Sequence, residues 1–166
     1  MAAGRGYPPR HREAAMATHT NAQLIKLSDS DQMLADPDAD IRGRKVYDDS
    51  GDAIGDIDDL LIDVEEYKVR FLRVEHGGIL GFGATPSFVP VDAIQEVTDD
   101  AVRVGHTNEQ IAGAPRYDPE VVGRPDPDDG YWNGVYGYYG YMPYWAPGYV
   151  YPAMPYTRMR RDADDR

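Results

Sequence analysis

The sequence predicts a mainly β fold: a small antiparallel barrel, with a flexible arm before it and an aromatic tail after it. Three observations carry that reading. Apolar and polar residues alternate in short runs, as in Lys45-Val46-Tyr47 and at Val69, Phe71 and Val74. Turn-forming residues separate the runs, namely Asp49-Ser50-Gly51-Asp52, Glu65-Glu66 and Gly77-Gly78. Period-2 runs punctuated in this way are the signature of half-buried strands joined by hairpins. Finally, Gly55, Gly81 and Gly83 fall inside strand-like pattern, where glycine marks the bulges and bends that closing a small sheet requires.

Residues 1–23 are small, polar and proline-containing, and are expected to form a flexible, weakly basic arm through Arg5, Arg10, His11 and Arg12. Met16 is a second candidate start within it. Residues 24–119 form the barrel domain. Leu24-Ile25-Lys26-Leu27 opens it as a short strand, and Ser28-Asp29-Ser30-Asp31 is a helix-capping cluster. A helical turn and loop over Asp31–Asp40, broken at Pro37, leads into the central strands. The barrel closes with strands near Ile94–Val97 and Ala101–Val104, joined across Thr98-Asp99-Asp100, and one helical turn at Asn108-Glu109-Gln110-Ile111 follows. Its core is expected from Val46, Ile54, Ile57, Leu60, Ile62, Val69, Phe71, Leu72, Val74, Phe88, Val89, Ile94 and Val102. Phe71 and Leu72 are adjacent and cannot face the same side of a regular strand. One of them is therefore expected to lie under the tail or a partner. Residues 120–130 are a stiff Pro/Asp linker, and 131–166 the Tyr-rich tail.

The formal net charge is −12, and its distribution excludes several partners. Residues 1–23 carry +2, residues 24–115 carry −12, residues 116–156 carry −3 and the last ten carry +1. An acidic body repels phosphate backbones and anionic membrane surfaces, which makes nucleic acid an improbable partner. The absence of cysteine removes disulfides and thiolate chemistry. No apolar run reaches membrane-spanning length and no secretory signal is evident, so the expected location is the cytoplasm.

The central motifs resemble a known family. Gly43-Arg44-Lys45-Val46-Tyr47, Gly51-Asp52-Ala53-Ile54-Gly55-Asp56-Ile57 and Leu60-Leu61-Ile62-Asp63 look like the opening of a PRC-barrel domain. Gly77-Gly78-Ile79-Leu80-Gly81 and Ser87-Phe88-Val89-Pro90-Val91-Asp92-Ala93-Ile94 look like its continuation. The order and spacing of these pieces over residues 24–119 carry the likeness. The family takes its name from the cytoplasmic domain of the photosynthetic reaction-centre H subunit. It also includes part of a ribosome maturation factor and many small stand-alone bacterial proteins. The resemblance implies a β-barrel without catalytic residues. Ala114-Pro115-Arg116-Tyr117-Asp118-Pro119 and Tyr136-Gly137-Tyr138-Tyr139-Gly140-Tyr141 also look like segments that follow the barrel in such relatives.

Candidate chemistry elsewhere fails on spacing. Asp36-Pro37-Asp38-Ala39-Asp40 has the first ligands of a calcium loop, but Ile41 stands where glycine turns the chain and Tyr47 where a glutamate closes it. Asp56, Asp58, Asp59 and Asp63 cluster along one strand-like segment, where Asp56 and Asp58 share a face by period 2, as a cation site or acid/base pair would require. A solvated strand face accounts for them as well. The histidines, His11, His19, His76 and His106, have no partner at ligand spacing, and the glycines of Gly77–Gly83 lack the Gly-Lys-Ser/Thr of a phosphate loop. Neither catalytic residues, a metal site nor a cofactor is expected.

The tail carries the functional signal. Tyr131 to Tyr156 contains no charged residue, nine of the thirteen tyrosines and both tryptophans. Its prolines and glycines exclude a spanning helix and favour an extended or turn-rich path. Tyr and Trp give large contact area at low entropic cost. Tyr136, Tyr138, Tyr139, Tyr141, Trp145 and Tyr149 are therefore expected to pack against protein, on the same chain or a neighbour. The expected function is a non-enzymatic interaction or assembly module that self-associates as a homo-oligomer. The alternatives are an RNA- or ribosome-associated maturation-type factor, or a photosystem- or membrane-associated regulatory subunit making peripheral membrane contact.

Overall fold

The structure, a computed structural model, describes residues 23–30, 34, 36–76, 85–116, 118, 121–122 and 130–152. Residues 1–22 of the expected arm at 1–23, the Gly77–Gly83 turn and most of the 120–130 linker lie outside the described residues, as does the tail beyond Pro152. The fold is mainly β. Seven strands form one sheet: β1 (Leu24–Lys26), β2 (Lys45–Tyr47), β3 (Ala53–Asp63), β4 (Val69–His76), β5 (Thr85–Pro90), β6 (Ile94–Val97) and β7 (Ala101–Val104). The order is β5-β4-β3-β2-β7-β6, and β1 pairs with β3.

Strand β3 is the spine. At eleven residues it is long enough to take β4 along one edge and two short strands along the other. There Lys45–Tyr47 pairs with Asp56–Ala53 and Leu24–Lys26 with Asp63–Leu61, both antiparallel. Strand β7 returns parallel to β2. The expected barrel closure is not seen as a ladder. Among the described residues no pairing joins the end strands β5 and β6; a 3-10 turn at Val91–Ala93 connects them along the chain. The prolines at both ends of β5, Pro86 and Pro90, lack the N–H that a further ladder would use.

All thirteen residues expected in the core are buried. Leu61, Val97, Val104 and Ile111 join them, together with Trp132, Val135, Tyr136 and Tyr139 from the tail. The alternation is broken by bulges, each leaving one residue without an opposite partner. Ile54, beside Gly55, is extra against β2, as that glycine suggested. Asp58 is extra on β3, because Ile57 faces Val74 and Asp59 faces Arg73. Arg70 is extra on β4, because Leu61 faces Phe71 and Ile62 faces Val69. A bulge re-aims side chains, and this one sends Arg70 into the protein instead of out to water.

The capping segments are also fixed by sequence. Pro37 begins a 3-10 turn at Pro37–Ala39 instead of breaking a helical one, since its ring suits a first helical position. Asp36 caps that turn by accepting from Asp38 N at 2.9 Å. Helix α1 (Asn108–Ala112) begins with a capping box in which Thr107 and Gln110 exchange side-chain and backbone hydrogen bonds. Helix α2 (Gly130–Tyr139) corrects the expected extended path of the tail. The first proline of the tail is Pro143, beyond the helix end, and Gly140 at φ 84° terminates the helix in the left-handed conformation.

Candidate functional site

The site is the face of the sheet that receives the tail. Its floor is Phe71 and Phe88 on the neighbouring strands β4 and β5, with ring centroids 6.4 Å apart. Helix α2 lays its buried stripe on them. Trp132 lies 4.8 Å from Phe71 and 5.1 Å from Phe88, and Tyr136, one turn later, is 4.9 Å from Phe71. Tyr131 approaches Phe88 edge-on at 6.4 Å. Phe71 is thus the member of the Phe71–Leu72 pair that the tail covers. Edge-to-face and tilted contacts of this kind add to the area each ring removes from water.

Arg70 is the polar centre. Its side chain is 5 % exposed and its Nε donates to Asp63 Oδ2 at 2.8 Å. Its Nη2 reaches Glu66 at 3.0 Å. Asp63 is buried as well and also accepts from the backbone N–H groups of Glu65, Glu66 and Lys68, so one carboxylate shapes the β3–β4 turn and holds the arginine. Tyr67, at φ 54°, completes that turn. Burial disfavours the guanidinium charge. The attraction and hydrogen bond of Asp63 more than restore it, holding the Arg70 pKa above its ordinary value.

The tail closes over this ion pair. Tyr144 stacks on the guanidinium at 4.5 Å, Tyr151 at 5.2 Å and Tyr149 at 5.9 Å. Rings over a desolvated guanidinium are stabilising contacts, on the order of 2 kcal/mol. Tyrosine hydroxyls fasten the tail to four further points. Tyr138 donates to the carbonyl of Gln110 at 2.7 Å, and Tyr149 to Asp92 Oδ1 at 3.1 Å. Tyr151 donates to the carbonyl of Val69 at 3.0 Å, and the Tyr141 hydroxyl lies 2.9 Å from His106 Nε2. Burial raises the Asp92 pKa, while the Tyr149 hydrogen bond pulls against that rise. Burial likewise raises the pKa values of Tyr136, Tyr139, Tyr144 and Tyr149 above the ordinary phenol value.

Of the six residues singled out in the tail, Tyr136 and Tyr139 are buried at 1 % and 6 % exposure, in the chain's own core. Tyr141, Trp145 and Tyr149 are half-buried, and Tyr138 is 45 % exposed. Met142, at 50 %, and Val150, at 81 %, are the other large exposed apolar residues of the described chain. The acceptor residues Arg70, Asp63 and Asp92 were missed from the sequence. The available signal was an arginine between Val69 and Phe71, inside the apolar run Val69–Leu72.

The other acidic groups singled out in the sequence have partners of their own. Asp40 is paired with Arg42 at 2.7 Å, which lowers its pKa. Asp56 and Asp58 do not act together: Asp56 lies 3.5 Å from Lys45, and Asp58 pairs with Arg73. The bulge at Asp58 destroys the shared face that period 2 implied. Asp59 is buried and accepts from the backbone and hydroxyl of Ser28 and from Leu60 N. A shallow cavity of about 250 Å³ lies over β2, β7 and β6, lined by Tyr47, Glu96 and Arg103 among others. Glu96 and Arg103 neutralise one another there at 3.1 Å.

No curated protein matches the chain. Among the described residues no helix is long and apolar enough to cross a membrane. The family model of the PRC-barrel domain matches residues 34–111, which takes in Arg70, Phe71, Phe88 and Asp92 and stops short of helix α2. Residues 34–111 are a member of the PRC-barrel domain family, and the aromatic tail docks on that domain from outside the matched span.

Proposed function

We propose that the chain is a non-enzymatic protein-interaction module, in which the docked tail presents a rigid aromatic surface to a protein partner. One observation carries the reading: the tail is anchored by its inner rings while Tyr138, Met142 and Val150 stay outside. Tyr138 is held by its hydrogen bond to Gln110, so its ring is positioned before any partner arrives. Preorganised aromatic side chains lose little entropy on binding, which is why such residues dominate contact hot spots. Tyr141, Trp145 and Tyr149 form the half-buried rim of the surface. Tyr136 and Tyr139 support it from beneath.

Charge favours a protein partner over RNA, because segment 131–152 is neutral and residues 24–115, on which it lies, carry −12. The reading is tested in the full chain with Tyr138→Ala combined with Met142→Ala. Capture of partners, and any self-association through this surface, should fall at least tenfold. The melting temperature should fall by only a few degrees, because Tyr138 gives up one hydrogen bond worth about 0.5–1.5 kcal/mol and both side chains are exposed. Unchanged capture would sink the proposal.

A further inference from the structure

We propose that the inner face, not only the outer one, serves assembly: the cradle of Phe71, Phe88, Arg70 and Asp92 accepts the tail of a second copy, so that two chains exchange residues 130–152. The first ground is that the tail is built as a docked unit. It contributes no strand to the sheet. Its turns close on themselves, with Gly140 N and Tyr141 N bonding to Tyr136 O, Ala146 N to Pro143 O and Tyr149 N to Ala146 O. The contacts that hold it are rings and hydroxyls, and an identical tail from another chain can make every one of them.

The second ground is that neither surface is stable bare. Without a tail, the cradle exposes two phenylalanines and half-uncovers the Arg70–Asp63 pair. Without a cradle, α2 is a ten-residue helix with Gly134 and Gly137 inside it, too short and too glycine-rich to persist in water. A tail that leaves its own sheet is therefore drawn to an equivalent sheet, and a second copy carries one.

The third ground is the connection. Seven residues, Gly-Arg-Pro-Asp-Pro-Asp-Asp, separate Val122 from Gly130. By sequence it is a short acidic connector of stiff type, with two prolines and with three aspartates against one arginine. Short, stiff hinges favour exchange over local closure. Residues 131–152 are neutral, so the exchanged element brings no charge to the junction between two acidic bodies.

The test varies the hinge in the full chain and leaves cradle and tail intact. Light scattering gives the mass over a concentration series, and tryptophan emission shows whether Trp132 and Trp145 are docked. The unaltered chain should show a dimer whose fraction rises with concentration and whose tryptophans are shielded. Inserting about ten Gly/Ser residues after Asp128 should raise the dimer dissociation constant at least tenfold with the emission unchanged, because a longer flexible linker restores a high effective concentration for closure on the same chain. Deleting Pro125–Asp128 should give a dimer only, again with shielded tryptophans. Equal masses for the unaltered and lengthened chains overturn the proposal, whatever the shortened chain does. The outcomes separate the two faces: a dimer dissolved by Tyr138→Ala with Met142→Ala but not by the longer hinge is an outer-face dimer, and exchange is then wrong.

Discussion

Arg70 joins sheet to tail, and its environment sets what each substitution around it should do. It sits opposite Asp63 with both side chains almost wholly buried, a geometry in which removing one partner leaves an uncompensated charge. Arg70→Met should therefore destabilise the chain by about 3–5 kcal/mol in a denaturant titration, and should shift Trp145 emission toward that of solvated indole. Hydroxyls separate by the same logic. Tyr149→Phe deprives Asp92 of a donor and should cost about 1–3 kcal/mol. Tyr136→Phe should be neutral or slightly stabilising, because the Tyr136 hydroxyl is buried with no hydrogen-bond partner among the described residues. Asp92 also gives the docked tail a pH dependence. Its folded pKa is raised by burial, so the docked state binds the proton more tightly than the unfolded chain. That contribution is complete below the ordinary carboxylate range and is lost as pH rises through the folded value. Asp40, lowered by Arg42, contributes in the opposite sense, and comparing variants cancels it. Asp92→Asn should melt above the unaltered chain at pH 7, and the two melting temperatures should converge below about pH 4.

At the scale of elements, α2 makes one layer contact with β4 and β5, and Phe88 on β5 is its test. Phe88 is buried and touches Phe71, Trp132 and Tyr131, so Phe88→Ala removes floor from the sheet and support from the helix together. A loss of about 3–5 kcal/mol is expected by chemical denaturation, with tryptophan emission moving in the same transition. The strands themselves were legible in the sequence because alternation and turn residues agree, as at Lys45–Tyr47 and at Ala101–Val104 after Thr98-Asp99-Asp100. The neighbouring Phe71 and Leu72 even showed that the sheet has two covered faces. Bulges were not legible, apart from the one beside Gly55. Period 2 puts Arg70 on the face opposite Phe71 and puts Asp56 beside Asp58. One extra residue in each strand reverses both expectations. Helix α2 was hidden for a different reason. Gly134 and Gly137 lower its intrinsic propensity, and its aromatic stripe is helical only because Phe71 and Phe88 lie beneath it.

The whole molecule is an acidic body with a neutral tail lying on it, and the two have opposite solvent requirements. Residues 24–115 hold the net charge of −12 and segment 131–152 holds none, so the body keeps copies apart while the tail can bring them together. The tail also completes the core. Trp132, Val135, Tyr136 and Tyr139 are as buried as the strand residues they meet, although the family span ends at residue 111. Large aromatic rings each remove about 150–250 Å² from water, and the sheet face under them is uncovered when they leave. The sequence-based division into an independent barrel over 24–119 and an appended tail predicts that ending the chain at Gly123 leaves the barrel intact. The packing argues otherwise. A net loss of only about 5 kcal/mol, a fraction of the gross burial, would lower the melting temperature of a chain this size by about 10–20 °C. The truncated chain should therefore melt at least 10 °C below the full one by circular dichroism, and should bind a hydrophobic dye at 25 °C through exposed Phe71 and Phe88. Adding a synthetic peptide of residues 130–152 should restore melting temperature in proportion to its saturation, because a ligand that binds only the folded state stabilises it by mass action. A truncated chain that melts with the full one and ignores the peptide would show that the tail contributes nothing to the fold.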